Sequence, residues 1–96
     1  MTPPFAVIAT SHFERAFEKL SRHHHALAAA YPRIVSILEA DPYDRSRSYD
    51  IKKLEGIPKG HGQYRIRAGR FRFRYDIEGS LVYLKGCALR REDIYD

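Results

Sequence analysis

Two neighbouring stretches of the chain alternate arginine with apolar residues. The first is Tyr64-Arg65-Ile66-Arg67 and the second is Arg70-Phe71-Arg72-Phe73-Arg74-Tyr75. Because side chains alternate between the two faces of a β-strand, each stretch predicts one apolar face and one basic face. With a turn at Gly69, the two stretches predict a hairpin. Five residues would share its basic face: Arg65, Arg67, Arg70, Arg72 and Arg74.

Five arginines on one face favour a surface that binds phosphate. An ordinary solvent-facing sheet surface can carry polar residues of either charge, and like charges on paired strands are destabilising. No acidic residue interrupts the two stretches. A planar guanidinium can hold two phosphate oxygens at once. The pattern therefore predicts an anion-binding face without an acidic partner between its arginines.

The positive charge of the chain is concentrated in its second half. The 96 residues carry 17 Lys and Arg against 12 Asp and Glu, a formal net charge of +5. Nine basic and two acidic residues between Lys59 and Arg91 give +7, which leaves −2 for the remainder. Such asymmetry favours a polyanionic partner, either a nucleic acid or an acidic protein.

Histidines and the single cysteine are weaker candidates for chemistry. His61 lies beside the basic strands and is the histidine best placed for acid–base catalysis, whereas His12 is predicted on a helix surface. The triplet His23-His24-His25 predicts a solvent-facing helix start, because consecutive helical side chains point about 100° apart and do not converge on a metal. Cys87 is predicted as a small buried apolar residue.

Cofactor motifs are absent from the sequence. It contains no GxGxxG, P-loop, GxSxG or HExxH pattern, so we expect neither a nucleotide cofactor nor a catalytic metal. One cysteine excludes an intrachain disulfide framework. No apolar run approaches the ~20 residues of a membrane span. The apolar residues 5–10 follow no basic segment, which argues against a signal peptide. We therefore expect a cytoplasmic protein with no membrane partner.

Hydrophobic periodicity predicts a strand and two helices in the first half. Residues 5–10 predict the strand, and Ser11 with Glu14 has the spacing of a capping box that would start the first helix. Its apolar face would comprise Phe13, Ala16, Phe17 and Leu20. A second helix is predicted over 24–40, with Pro32 either bending or restarting it. Its buried side would carry Leu27, Ile34, Ile37 and Leu38.

The second half predicts strands. A polar loop over 41–50 and a short extended segment at 51–54 precede strands over 63–68, 70–77 and 81–85, and residues 90–95 would form a helical turn. The chain is short enough for one domain over 1–96. The predicted fold class is α+β, in which an N-terminal strand and two helices pack on a mostly antiparallel sheet that ends in a β-meander.

The order and spacing of several segments resemble the RelE/ParE toxin superfamily, over essentially the whole chain. The resemblance implies a RelE-like, microbial-ribonuclease-like fold. It is carried by the helix pattern Phe13-x-x-Ala16-x-x-x-Leu20, the Asp41-Pro42 break, Lys53-Leu54-Glu55-Gly56, Gly62-Gln63 before the first arginine stretch, the second arginine stretch, and Arg90-Arg91-Glu92-Asp93-Ile94-Tyr95.

The resemblance implies the toxin of a toxin–antitoxin pair, a metal-independent endoribonuclease that cuts mRNA on the ribosome. Its partners would be a cognate acidic antitoxin, the ribosome and mRNA. By position, the implied catalytic residues are Arg65, Arg67, Arg72, Arg91 and Tyr95, with Arg90 the alternative late arginine. The best-known RelE pattern has two lysines where this chain has Arg65 and Arg67, and arginine is a poor general base. The implied RNA-binding residues are Arg70, Arg74, Lys85, Arg90 and His61.

Two other functions fit the same sequence. ParE-like members of the superfamily share the fold but poison DNA gyrase without being enzymes, and a basic domain could also bind RNA or DNA without catalysis. Arg72, Arg91 and Tyr95 favour the nuclease, whereas the arginines at positions 65 and 67 weaken that preference. The general base would be Tyr95, if cationic neighbours favour its phenolate, or His61.

Replacing Tyr95 distinguishes the nuclease from the gyrase poison. We expect Tyr95→Phe to lower ribosome-dependent mRNA cleavage by well over tenfold, because losing one acid–base group costs on the order of 10²–10⁴ in rate. Thermal stability should change little at a chain end. Primer extension on ribosome-bound mRNA measures the cleavage. Cleavage by Tyr95→Phe at the parental rate would exclude this tyrosine as the proton-transfer group.

Overall fold

Five strands and two helices make up the fold in a computed structural model that describes residues 2–89. In chain order these are β1 (Ala6–Ala9), α1 (Ser11–Ser21), α2 (His25–Ala40), β2 (Ile51–Lys53), β3 (Tyr64–Ala68), β4 (Phe71–Glu78) and β5 (Leu81–Leu89). The strands form one sheet in the order β1-β5-β4-β3-β2. β1 runs parallel to β5 and all other neighbours are antiparallel. The predicted α+β class and the C-terminal meander are confirmed.

The hydrophobic core lies between the two helices and one face of the sheet. The side of α2 that was predicted to be buried is buried. From α1, Phe13 is buried, and the partly buried Phe17 and Leu20 pack against the core. Each fully buried large side chain contributes about 1.5–3 kcal/mol. The sheet contributes Ile66, Phe71, Phe73, Tyr75, Val82 and Leu84.

The first helix is capped one residue earlier than the sequence predicts. The N-cap is Thr10, whose hydroxyl oxygen accepts the N–H of Phe13 at 3.3 Å, so the Ser11–Glu14 capping box is wrong. The same Thr10 hydroxyl donates to the carbonyl of Leu84 at 2.7 Å. This bond to β5 places residue 10 at the end of β1, where it can cap the helix that follows.

The second helix continues through Pro32. The structure has a single helix over residues 25–40, with buried residues both before and after the proline. Proline removes one helical hydrogen bond and crowds the carbonyl of Ala28. The packing of Leu27 on one side and of Ile34 on the other holds both halves of the helix on the sheet, which offsets that loss.

The last strand is longer than predicted. β5 extends to Leu89 instead of ending at Lys85, because residues 86–89 pair with β4 back to Phe71. The pairing changes register between Arg74 and Tyr75, whose partners are Gly86 and Leu84. Lys85 is left as the extra residue of a bulge. The predicted helical turn over 90–95 lies outside the described residues.

A loop of residues 54–63, here called the Gly62 loop, is attached to the sheet face opposite the helices. Its attachment is a pair of charged side chains from β4. Asp76 is buried and accepts the N–H groups of Gly62 and Gln63 at 3.0 and 2.9 Å. Arg74 donates from Nε to the carbonyl of Gly62 at 2.8 Å and from Nη2 to that of His61 at 3.0 Å. Hydrogen bonds to charged groups each contribute about 1.5–3 kcal/mol.

No helix within residues 2–89 is both long and apolar enough to cross a membrane.

The substitution Gly62→Ala tests how closely the Gly62 loop packs on the sheet, and Gly60→Ala is its matched control. Both glycines have positive φ, +82° and +94°, so alanine at either position is strained by about 1–2 kcal/mol. A Cβ on Gly62 would lie 2.9 Å from Cβ of Arg74, whereas a Cβ on Gly60 would meet nothing within 4 Å. We expect Gly62→Ala to lower the free energy of unfolding by about 1–3 kcal/mol more than Gly60→Ala does.

Urea denaturation of the two variants measures this difference. Equal losses for Gly62→Ala and Gly60→Ala would mean that the loop can move off Arg74 without cost.

Candidate nucleic-acid interface

The face of the sheet opposite the helices carries the arginines of β3 and β4. Arg65 lies opposite Arg74 and Arg67 lies opposite Arg72 in the strand register. The alternation predicted from the sequence is therefore correct for these four residues. Arg70 is the exception, because it lies exposed in the turn between the strands. The ladder contains four arginines rather than five.

An acidic residue lies among these arginines, contrary to the sequence prediction. The Asp50 carboxylate is 2.9 Å from Nε of Arg67 and 3.5 Å from Nη1 of Arg65. The backbone carbonyl of Asp50 also accepts the N–H of Arg67 at 3.0 Å. Asp50 precedes β2, whose pairing with β3 brings it beside the basic strands. One carboxylate among Arg65, Arg67 and Arg72 leaves a net charge of +2 on the group.

Hydrogen bonds within the loop before β2 position Asp50. The carboxylates of Asp41 and Asp44 accept four backbone N–H groups between residues 45 and 49, at 2.8 to 3.2 Å. Asp44 itself has a positive φ of 55°, a conformation that aspartate tolerates better than most residues. The buried Tyr75 hydroxyl donates to the carbonyl of Pro42 at 2.7 Å and ties the loop to the sheet. The polar loop predicted over 41–50 thus has a defined structure.

We call Arg65, Arg67 and Arg72 the arginine cluster. The described residues do not provide a hydrogen-bond acceptor for every buried N–H group of these guanidiniums. Nε of Arg72 is a buried atom with no hydrogen-bond partner within residues 2–89, and the buried Nη1 of Arg65 has only its ion-pair contact with Asp50, at 3.5 Å. The side chain of Arg65 is only 11% exposed. Burial, together with the charges of Arg67 and Arg72, lowers the pKa of Arg65, and Asp50 opposes that change. An anion at this cluster would reduce the charge repulsion and would accept the N–H of Arg72 that has no partner among the described residues.

Arg74 serves the loop instead of the cluster. Its Nε and Nη2 both donate to carbonyls of the Gly62 loop, so two of its donor groups are already committed. The contacts of Arg74 therefore differ from those of the other three strand arginines, although all four share a face.

His61 and Lys85 lie in a second group, at the end of β1. They line a cavity of about 320 Å³ together with Thr10, His12 and Gly60. The ammonium of Lys85 is 6.0 Å from the ring centroid of Tyr83. The sequence predicts His61 beside the basic strands and His12 on a helix surface. It did not predict that the two histidines would meet, because they are 49 positions apart.

The other candidates named from the sequence, the histidine triplet and Cys87, do not join either of these groups. His24 is the N-cap of α2, with its ring edge-on to Phe71 at 5.9 Å, and His25 begins the helix. Cys87 is half-buried, and burial raises the pKa of its thiol to about 11, so the thiol is neutral at pH 7. Within residues 2–89, no three His, Cys, Asp or Glu side chains come together as metal ligands. Arg90, Arg91 and Tyr95 lie outside the described part of the chain.

Comparison with protein-family models finds no match, and comparison with curated protein sequences finds none either. Three solved structures are similar over nearly their whole length. The RelBE2 toxin–antitoxin complex of Mycobacterium tuberculosis matches with a TM-score of 0.69 at 24% identity, covering 91% of this chain and 99% of that one. The archaeal RelE–RelB complex of Pyrococcus horikoshii matches with 0.66 at 23% identity, covering 93% and 98%.

The RelB–RelE antitoxin–toxin complex of Methanococcus jannaschii matches with a TM-score of 0.60 at 18% identity, covering 93% of this chain and 99% of that one. The predicted likeness in fold is thereby confirmed, at identities that establish the fold alone. The chain therefore has the fold of the RelE toxins in these complexes.

Proposed function

We propose that the chain is the toxin of a toxin–antitoxin pair and acts as a metal-independent endoribonuclease that cuts mRNA on the ribosome. The fold shared with RelE toxins supports the toxin role. The observation that supports RNA chemistry is the arginine cluster, a partly buried group with a net charge of +2 and a buried N–H of Arg72 without a partner among the described residues.

The cluster suits the electrostatic part of RNA cleavage. In a metal-free reaction the ribose 2′-oxygen attacks phosphorus, the bond to the 5′-oxygen breaks, and a cyclic phosphate forms. Negative charge grows on the non-bridging phosphate oxygens in the transition state. Fixed guanidinium groups stabilise that charge without reorganising. Arg65, Arg67 and Arg72 would perform this step, since their side chains share one face.

Two proton transfers complete the reaction. The 2′-hydroxyl must lose a proton and the 5′-oxygen must gain one. Arginine stays protonated and cannot accept the first proton, so Tyr95 is the proposed base and Arg91 the proposed group at the leaving oxygen. An open site with weak acid–base groups would cleave free RNA poorly. It would depend on the ribosome to orient the mRNA, which is the mode implied by the resemblance to RelE.

An acidic antitoxin is the proposed partner. The solved structures with this fold are toxin–antitoxin complexes, and the segment from Lys59 to Arg91 carries a charge of +7. We propose that acidic and apolar antitoxin side chains cover the basic sheet, the helices, or both. Such segments commonly fold on binding.

Arg72→Ala tests the proposed reaction, with Arg15→Ala, at an exposed position on α1, as the control. Arg72 projects from the face opposite the core, so its loss should leave thermal stability nearly unchanged. We expect ribosome-dependent cleavage to fall by about 10²–10³, the usual cost of removing one group that stabilises a developing oxyanion. Growth arrest should be relieved in parallel, whereas Arg15→Ala should remain toxic.

Primer extension on ribosome-bound mRNA measures the cleavage. A folded Arg72→Ala protein that cuts like the parent would remove Arg72 from the active site. A parent that leaves mRNA intact but traps gyrase on DNA would replace the nuclease with the ParE-like function.

Asp50→Asn tests whether the ion pair with Asp50 competes with RNA. Because Asp50 is 52% exposed, its pair with Arg67 contributes about 1 kcal/mol or less. We expect Asp50→Asn to bind single-stranded RNA roughly two- to fivefold more tightly at about 0.1 M salt, where the Debye length is about 10 Å. Glu78→Gln removes the same charge about 20 Å along β4 from Arg72 and should have no effect.

Fluorescence anisotropy with a labelled, non-cleavable RNA measures both affinities. Equal gains for Asp50→Asn and Glu78→Gln would assign the effect to overall charge, and weaker binding by Asp50→Asn would mean that Asp50 organises the site rather than competing with the phosphate.

A further inference from the structure

The cavity at the end of β1 is lined by titratable side chains from three separate parts of the chain. His12 comes from the first turn of α1, His61 from the Gly62 loop and Lys85 from β5. Thr10 and Gly60 complete the lining, so no acidic residue is among them. Three groups that can carry positive charge therefore meet around one cavity of about 320 Å³.

Two charged side chains of β4, Arg74 and Asp76, hold the backbone around His61. The carbonyl of His61 accepts from Arg74, and the next residue, Gly62, is held through its N–H by Asp76 and through its carbonyl by Arg74. The positive φ of Gly62 and its close approach to Arg74 leave the loop no room to shift toward the sheet. These contacts fix the backbone from which the His61 ring projects, which lowers part of the entropy cost of binding a ligand there.

The position of Lys85 follows from the bulge in β5. The register change leaves Lys85 without a partner in β4, and such bulges commonly redirect a side chain. The ion pairs among residues 2–89 involve Glu18 and Asp50 as the acids, and none includes His12, His61 or Lys85. The described residues thus supply three groups that can carry positive charge, and none of the three forms an ion pair with an acid among those residues.

We propose that His12, His61 and Lys85 form a second phosphate site, which binds another phosphodiester of the RNA strand held by the arginine cluster. This inference rests on the proposed function for the identity of the strand. Imidazole and ammonium N–H groups are donors that suit phosphate oxygens. Phosphate contacts of this kind set the register of a nucleic acid without selecting its bases.

The spacing of the two sites determines what can reach both. Arg72 pairs with Ala88 of β5, and Arg74 pairs with Gly86. Lys85 precedes Ala88 by three residues, so it lies three residues from Arg72 along the strand direction. At about 3.3 Å per residue this separation is about 10 Å. A fragment with one phosphate occupies one site at a time, whereas a longer strand spans both.

Inorganic phosphate tests the site without RNA. Titration of the purified chain, followed by the imidazole signals in ¹H–¹⁵N spectra, should shift His12 and His61 saturably. His25, exposed at the start of α2, is the internal control. Lys85→Ala should raise the dissociation constant for phosphate at least about threefold. Lys19→Ala removes the same charge from an exposed position on α1 and should leave that constant unchanged. Uniform shifts of all five histidines, or equal affinity in Lys85→Ala, would overturn the site.

RNA of two lengths tests its use. A 2′-O-methyl RNA hexamer should bind Lys85→Ala and His61→Ala about three- to tenfold more weakly than the parent, with the salt dependence reduced by about 0.7 in slope for one lost phosphate contact. A dinucleoside monophosphate should bind all three proteins alike. Arg72→Ala should weaken both ligands.

The two proposals fail separately. A hexamer that needs Arg72 but ignores Lys85 and His61 would overturn the second site and leave the nuclease proposal in place. A hexamer that needs Lys85 and His61 but ignores Arg72 would support the second site and count against the arginine cluster.

Discussion

The burial of Phe73 is the packing constraint on which the arginine face depends. Phe73 is fully buried, with its ring centroid 6.1 Å from that of Phe13 on α1 and 6.5 Å from that of Tyr31 on α2. One residue of β4 thereby contacts both helices. Because successive side chains of a strand point to opposite faces, this contact forces Arg72 and Arg74 to the other side of the sheet. A slip of one residue would place arginines in the core, so the register is strongly specified.

Neighbouring charged residues of β4 have different tasks on that face. Asp76 is nearly inaccessible, and burying a carboxylate is costly unless hydrogen bonds compensate for the lost water. The two backbone N–H groups of the Gly62 loop provide that compensation. Arg74 holds the same loop through its carbonyls. Arg72, two residues earlier, keeps a buried donor without a partner among the described residues. The strand thus supports a loop at one end and contributes Arg72 to the arginine cluster at the other.

The electrostatic strain of the face is only partly relieved within the fold. Opposed like charges in a sheet cost up to about 1 kcal/mol per pair, and Arg67 faces Arg72 directly. Asp50 reduces the repulsion by pairing with Arg67 and Arg65. A net positive group remains, and a phosphate oxygen or an acidic partner would stabilise it further. The same charge suits both the proposed RNA substrate and the proposed acidic antitoxin, and the two would compete wherever the antitoxin covers this face.

The sequence by itself determined the elements and their faces, because these depend on local periodicity. The apolar residues of α2, the alternation in β3 and β4 and the order of strands and helices were all predictable, since each signal lies within a few residues. Only the tertiary structure decided which charges meet. Asp50 reaches Arg67 across 17 positions, Arg74 is taken by a loop 12 positions away, and His12 joins His61 and Lys85 at one cavity. The parallel pairing of β1 with β5 and the extension of β5 to Leu89 were equally hidden. Such contacts arise from strand register and loop closure, which bring distant residues together and leave no periodic trace in the chain.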